Sequence, residues 1–362
     1  MAGRPNIEFP CCAPALPTIV AVQRPAPAYD QCFYPALEKL GVHVVNGSFS
    51  GRWLDKHLIA GKYVHLQYPS FCYARAPSRF RLLVAFVRFV ALLLLVRMRG
   101  AKLLWTAHNL VPHDPTEIPG MDYLGRRIVI ALSHRVFAHG TNAAAVIKGK
   151  FPQVRGKLVV IEHGNWIDHY PRTRSKLEAR DKLGIKPSDY VFLFIGMCKE
   201  YKNVHGLIRA FSELSSESLL LIAGKFQSAD YRHTIFALAD GNARIKIYPY
   251  YIADEDLQDF LCACDCVVLP YQEILTSGAA MLALSFGRPV VSIRCGSLQD
   301  VVTEEVGVLF DPADPDGLAQ ALIEVRKRYF DEQRILAHAR RFSWENSAQA
   351  FIKALDCEAR QR

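Results

Sequence analysis

A chain of 362 residues, 51% hydrophobic and 22% charged, is globular, with material for an ample core and, by its length, for two domains. Ten cysteines without a framework spacing exclude a disulfide-stapled scaffold and fit a reducing cytosol. The net charge of +9 sits in the first half: residues 1–170 hold 20 Lys and Arg against 9 Asp and Glu, whereas the remainder nets −2.

The opening PCCAPALPTIVAV is interrupted by proline and lacks a clean apolar region and cleavage site, so no signal peptide is expected. Thr18–Val22 reads as a buried strand, followed by PAYDQCFYPAL with Asp30. VHLQYP ends another strand, placing His65 and Tyr68 either in a cleft or in packing. The run RLLVAFVRFVALLLLVRMRG at 81–100 is the most apolar segment, but Arg88 splits it. What remains is short of the roughly 20 apolar residues that span a bilayer. Arg75, Arg79, Arg81, Arg88, Arg97, Arg99 and Lys102 surround it. A basic, apolar helix of this kind suits an anionic membrane surface, or else is a crossover helix with solvated ends. The arginines are not interleaved with aromatic platforms and no reader motif occurs, which argues against nucleic acid.

A strand at Leu103–Ala107 runs into HNLVPHD, and a strand at Val159–Glu162 closes the first half. The polar, turn-rich EHGNWIDHYPRTRSK at 162–176 resembles a linker, with His163, Gly164 and Asn165 read mainly as linker geometry. Strands then recur at Tyr190–Gly196, Leu219–Gly224, Cys266–Pro270 and Pro289–Ile293, alternating with helical patterns at Val204–Leu214, Glu255–Cys264 and Pro315–Arg328. Cys262, Cys264 and Cys266 match no common zinc spacing and read as buried small residues at a helix-to-strand junction. Buried strands alternating with helices, twice over, predict an α/β protein of two Rossmann-like domains facing across a cleft.

In such sheets ligands bind beyond the carboxyl ends of strands, over helix N-termini. Three loops of the second half qualify. Gly196 is followed by Lys199 and Lys202, two cations before a helix; the alternative is a solvated basic loop. Gly224 and Lys225 follow the next strand. The third loop, EILTSGAAMLALSFGRPVV, places Glu273, Thr276, Ser277 and Gly278 before an apolar helix. Its hydroxyls and free N–H groups suit either a helix cap or a phosphate oxygen. Ala279 and Ala280 stand where a capping box would need Glu or Gln, leaving the seat open. Glu273 would accept from sugar hydroxyls, and Tyr271 would stack on a base or serve as core.

These motifs resemble the nucleotide-sugar glycosyltransferases of the GT-B fold. They are G-x-x-K-x-x-K-N-V at Gly196–Val204, L-P-Y at Leu269–Tyr271 and T-S-G-x-x-x-L-A-L-S-F-G-R-P-V-V at Thr276–Val291. With V-H-L-Q-Y-P at Val64–Pro69 and W-T-A-H-N-L-V-P-H-D at Trp105–Asp114, the likeness covers roughly residues 18–350. It extends to the bacterial β-mannosyltransferases of exopolysaccharide assembly that use GDP-mannose and a glycolipid. The chain departs from the large retaining family of this fold, which carries two glutamates here. Ile274 and Leu282 occupy those places, with Glu273 one residue away. An inverting reaction therefore fits better.

The resemblance implies residues 1–168 as a membrane-associated acceptor domain, 169–345 as the nucleotide-sugar domain, and 346–362 as a helix packing back toward the first. It implies transfer of mannose from GDP-mannose onto a polyprenyl-diphosphate-linked oligosaccharide, at the inner face of the cell membrane. It also implies no required cofactor and no metal. Inversion requires a general base from the first half. The candidates are Asp30, His108, His113 and Asp114, with Glu117 besides, and Asn109 either caps or touches a sugar. Rival readings are a transferase using a UDP-sugar, a nucleotide-sugar epimerase or hydrolase, and a non-catalytic basic binding protein.

Overall fold

The computed structural model describes residues 17–22, 28–58, 60–112, 115–214 and 218–356. In the first half the chain alternates strictly between strand and helix. The order is β1 (Thr18–Val22), α1 (Ala28–Lys39), β2 (His43–Gly47), α2 (Gly51–His57), β3 (Tyr63–Leu66), α3 (Arg79–Met98), β4 (Lys102–Thr106), α4 (Met121–Leu132), β5 (Ser133–His139), α5 (Thr141–Lys150) and β6 (Leu158–Ile161). All pairings are parallel, in the order β2-β1-β3-β4-β5-β6. Central strands such as β3 are buried along their whole length, which is why they read as apolar runs.

The second half repeats the scheme. It runs α6 (Lys176–Lys182), β7 (Tyr190–Ile195), α7 (Val204–Ser212), β8 (Ser218–Ala223), α8 (Ala229–Ala239), β9 (Ile245–Tyr248), α9 (Leu257–Ala263) and β10 (Cys266–Leu269). Then follow α10 (Gly278–Ser285), β11 (Val290–Ile293), α11 (Leu298–Val301), β12 (Gly307–Phe310), α12 (Gly317–Lys327), α13 (Glu332–Arg340) and α14 (Trp344–Asp356). Its parallel sheet has the order β12-β11-β10-β7-β8-β9. In each sheet the strand order reverses once, between β1 and β3 and between β7 and β10. These switch points are where open α/β sheets leave a crevice for ligands.

Each half has an outer apolar cluster, under α3 in the first and under α7, α8 and α12 in the second. A third cluster is continuous across both halves, through Trp166, Trp344 and Phe351. Helix α14 makes this join. Phe351 stacks on Phe137 of β5 with centroids 4.1 Å apart, and the Ser347 hydroxyl donates to the Glu162 carbonyl at 2.7 Å. Elsewhere Asp300 of the second half accepts from the Asn142 backbone N–H at 2.9 Å and from the Thr141 hydroxyl, capping the first turn of α5.

Helix α3 begins at the Ser78 cap and buries Leu82, Phe86, Phe89, Leu93 and Val96. Its other face is apolar too: Phe80, Leu83, Val84, Val87, Leu94 and Met98 are exposed, at a spacing that keeps them on one stripe. No helix among the described residues is long and apolar enough to cross a membrane.

Candidate active site

The loop after β7 and the loop after β10 meet at the second switch point. Gly196 ends β7 with φ +126°, and a Cβ added there would lie 3.2 Å from the Lys202 ammonium. A Cβ on Gly224, at the end of β8, would strike the Gly196 carbonyl oxygen at 1.9 Å. The two glycines thus let neighbouring strand ends close on each other and leave backbone at the surface of the crevice. Beneath them Lys202 is half-buried, its nitrogen 6.0 Å from the ring centroids of both Phe194 and Tyr271. Burial pulls its pKa down to about 8, Cys198 opposing this and Lys199 adding to it. It has no ion-pair partner among the described residues. Asn203 takes the left-handed conformation, φ 55°, to turn this loop into α7.

Around α10 the structure divides the hydroxyls by role. Ser277 is the cap: its oxygen accepts from the Ala280 N–H at 3.3 Å and lies 3.1 Å from the Tyr271 hydroxyl. This is the helix-cap role, one of the two that its place in the motif allowed. Tyr271 takes the core alternative. Its ring is buried under the loop, its hydroxyl pushed up to about 12 by burial, and it offers no face for a base to stack on. Thr276 is the contrast, because its buried hydroxyl oxygen has no hydrogen-bond partner. The Gly278 carbonyl accepts from the Trp166 indole N–H at 3.1 Å, and Glu273 is exposed beside the crevice. A cavity of about 340 Å³ lies along this edge, lined by Gly196, Gly224, Lys225, Gly278, Trp166 and Tyr251 among others.

The opposite edge is built from histidines. His65 in β3, His108 after β4, His139 at the end of β5 and His163 after β6 are all buried. Burial pushes His65 down to about 3 and His163 to about 4, and holds His108 and His139 well below 6.5. Each ring is therefore neutral at pH 7. His108, His139 and His163 stand with neighbouring centroids 5.2 Å apart, around Tyr29. His139 was not singled out from the sequence. Its signal was there, a strand closing on His-Gly as the next one does at His163-Gly164.

Asp30 lies at the first switch point, but buried rather than open to the crevice. Its carboxylate accepts from the Gln67 amide nitrogen, and the Gln67 oxygen accepts from His108 Nε2 at 2.7 Å. With Nε2 protonated, the neutral ring keeps its lone pair on Nδ1. Tyr68 stacks on His108 at 4.8 Å. Glu117 is exposed and paired with Arg79 at 3.9 Å, away from these groups. His113 and Asp114 lie outside the described residues.

Between the two edges runs a cleft of about 590 Å³. The first half lines it with Gln67, Tyr68, Arg75, Asn109 and Arg126, the second with Met197, Lys199, Lys225 and Gln227. A second cavity, of about 570 Å³, continues from it along Tyr68, Phe71 and Arg75 to Phe49 and Val22. The arrangement offers lysines and backbone dipoles on one wall and, on the other, Arg75, Arg126 and the Gln67 and Asn109 amides, with the neutral imidazoles buried behind Gln67 and Tyr68.

Residues 189–328 match the family described as glycosyl transferases group 1. A GDP-mannose:glycolipid 4-beta-D-mannosyltransferase of Xanthomonas campestris pv. campestris is 26% identical over 251 residues, 67% of this chain and 64% of the relative. A D-inositol 3-phosphate glycosyltransferase of Rhodococcus jostii is 27% identical over 70% of this chain and 61% of its own length. The chain thus spans less than two thirds of these relatives. Among solved structures, sucrose-phosphate synthase from Thermosynechococcus elongatus superposes with a TM-score of 0.73 at 16% identity, covering 96% of this chain and all of that one. The two facing sheets are the GT-B fold.

Proposed function

We propose that the chain transfers a hexose from a nucleotide-sugar to an acceptor glycan, with the donor diphosphate over the ends of β7 and β10. The observation that carries this reading is the Lys202 ammonium. It is half-buried against Gly196 without an ion pair among the described residues, and a partly desolvated cation in that position calls for an anion. The lysines and the N-terminus of α10 supply the charge that a departing diphosphate needs, so the reaction requires no metal.

The acceptor hydroxyl attacks the anomeric carbon as the bond to the diphosphate oxygen breaks, and its proton passes to a base on the histidine wall. His108 suits that role: it is neutral, and Gln67, itself held by Asp30, fixes its tautomer. The donor's negative charge raises its basicity as the cleft fills. Leu282, in place of the retaining family's second glutamate, supports inversion. The name of the Xanthomonas relative supports GDP-mannose as donor, a β linkage and a glycolipid acceptor of the polyprenyl-diphosphate type, as in exopolysaccharide assembly. The exposed apolar stripe of α3, flanked by Arg81, Arg88 and Arg97, supports seating on the anionic inner face of the cell membrane.

Thermal melts with GDP, UDP and ADP test the donor. A GDP-selective stabilisation, insensitive to chelator and lost in Lys202→Ala, is the expected result. A preference for UDP discards mannose, and no shift with any nucleotide sinks the transferase reading. For the membrane, Val87→Ser with Phe80→Ser should abolish sedimentation with anionic vesicles at low salt.

A further inference from the structure

Arg126 presents a second cation without a direct ion pair among the described residues, on the wall opposite Lys202. It is 3% exposed, in the middle of α4. Its Nε donates to the Leu110 carbonyl at 3.0 Å, and its guanidinium carbon lies 5.2 Å over the Trp105 ring. Nη1 is buried with no hydrogen-bond partner, yet the residue lines the 590 Å³ cleft. Asp122, one turn earlier on the same helix, and Tyr73 favour its charge through space, but neither makes a direct ion pair or hydrogen bond with it. That carboxylate is taken by the Tyr73 hydroxyl at 3.1 Å and the Thr116 N–H at 2.7 Å. A guanidinium taken out of water with a donor unused is costly to maintain, and the cost is offset when an oxyanion fills the place.

Charge count separates this place from the donor's. Lys199 and Lys225 line the cleft from the second half, with Lys202 behind them, which suffices for one diphosphate. Arg75 and Arg126 line it from the first half, next to Asn109, and none of the described lining residues is a carboxylate. Arg75 also lines the 570 Å³ cavity that leads away from the donor. A planar guanidinium with a free N–H in a fixed position selects phosphate or carboxylate geometry.

We propose that Arg126, with Arg75 at the rim, binds an anionic group carried by the acceptor, so that the second substrate is a phosphorylated or carboxylated glycoside. This rests on the transferase reading. Arg126 recognises the oxyanion of the bound acceptor and holds its sugar against His108, while the donor diphosphate stays on the lysine wall.

The test is calorimetric titration of the full chain, saturated with the nucleoside diphosphate that stabilises it most. Inorganic pyrophosphate is the titrant in one arm and methyl glucuronide in the other. One of the two should bind on top of the nucleotide, and which one does tells phosphate from carboxylate. R126Q should weaken that binding at least about tenfold while leaving the nucleotide affinity unchanged. R126K, which keeps the charge without the planar fork, should fall between, and R75Q at the rim checks the site without touching the core. If neither anion binds the saturated protein, or if R126Q weakens nucleotide and anion alike, the proposal is overturned while the transferase reading stands. If the wild type binds no nucleotide, the transferase reading fails instead. The anions titrated into the free protein and into R126Q then decide the oxyanion site by itself.

Discussion

The carboxyl edges of the two sheets share one topology and face each other, yet they are furnished with opposite chemistry. The edge of β7, β8 and β10 presents glycine backbone, lysines and one hydroxyl without a partner. Behind the edge of β3 to β6 lie four buried neutral histidines, one from the end region of each strand, packed among aromatic rings. Anions are held best by fixed dipoles and cations that need no reorganisation. Protons are moved by groups that stay uncharged until a proton arrives. On the proposed reading, the same crevice geometry serves the donor diphosphate on one side, and proton transfer with the acceptor's anion on the other.

The contrast is broken most strongly by acid. All four histidines have pKa values lowered by burial, so between pH 6.5 and about 4 the unfolded chain binds protons that the folded chain refuses. Stability is full above pH 6.5 and falls as pH drops through that window, by up to about 1.4 kcal/mol per pH unit for each histidine. Urea titrations from pH 7 to 4.5 measure it. His163→Gln should flatten the curve, and an unchanged slope would show that the ring is not buried neutral.

Next in size is Phe351→Ala in α14. The ring is fully buried, stacked on Phe137 and edge-on to Phe33 at 5.3 Å, so truncation should cost about 3–5 kcal/mol. A thermal melt that hardly moves would mean that α14 does not join the halves.

Lys202→Met sharpens the comparison from the other side. Because burial pulls this lysine to about 8, the folded state disfavours its charged form. That penalty is complete below pH 8 and disappears as pH rises toward the free value of about 10.5. At pH 7 the variant should therefore be more stable than the wild type, by on the order of 2 kcal/mol. Its nucleoside diphosphate affinity should fall about 100-fold. Loss of both stability and affinity would make Lys202 a structural residue.

The fold could be read from the chain because its buried strands are short apolar runs bounded by glycine, proline and charge, as at Tyr190–Gly196 and Cys266–Pro270. β5 was less visible because α4 runs into it without a loop, Leu132 to Ser133, so no turn signal marks the change. Lys202 could be placed at the crevice from its loop, but its sequestration depends on the fold bringing Tyr271, from the end of β10, against it beside Phe194 of its own strand β7. The histidine wall was only half legible. His65 lies in and His108 follows an obvious strand, whereas His139 and His163 gain meaning only once four strands are set side by side. For Thr276 and Ser277, adjacent hydroxyls in one motif, sequence could not assign cap and ligand, since that depends on which oxygen meets the Ala280 N–H.

That last division carries the smallest expected effect and the cleanest reading. Thr276→Val replaces the hydroxyl by a methyl of nearly the same shape. If the oxygen is an unsatisfied group awaiting a ligand, its removal relieves a desolvation cost, and the free protein should gain up to about 1 kcal/mol. The nucleoside diphosphate should then bind about five- to tenfold more weakly, the worth of one hydrogen bond to a charged oxygen. Ser277→Ala should do the reverse: it removes the α10 cap and loses about 1 kcal/mol of stability, with affinity changing only as far as the helix end frays. Opposite signs in neighbouring residues are hard to obtain from a general loosening of the loop. If both variants lose stability, the Thr276 hydroxyl is bonded within the protein and the anion seat shrinks to Lys202 and the glycine backbone.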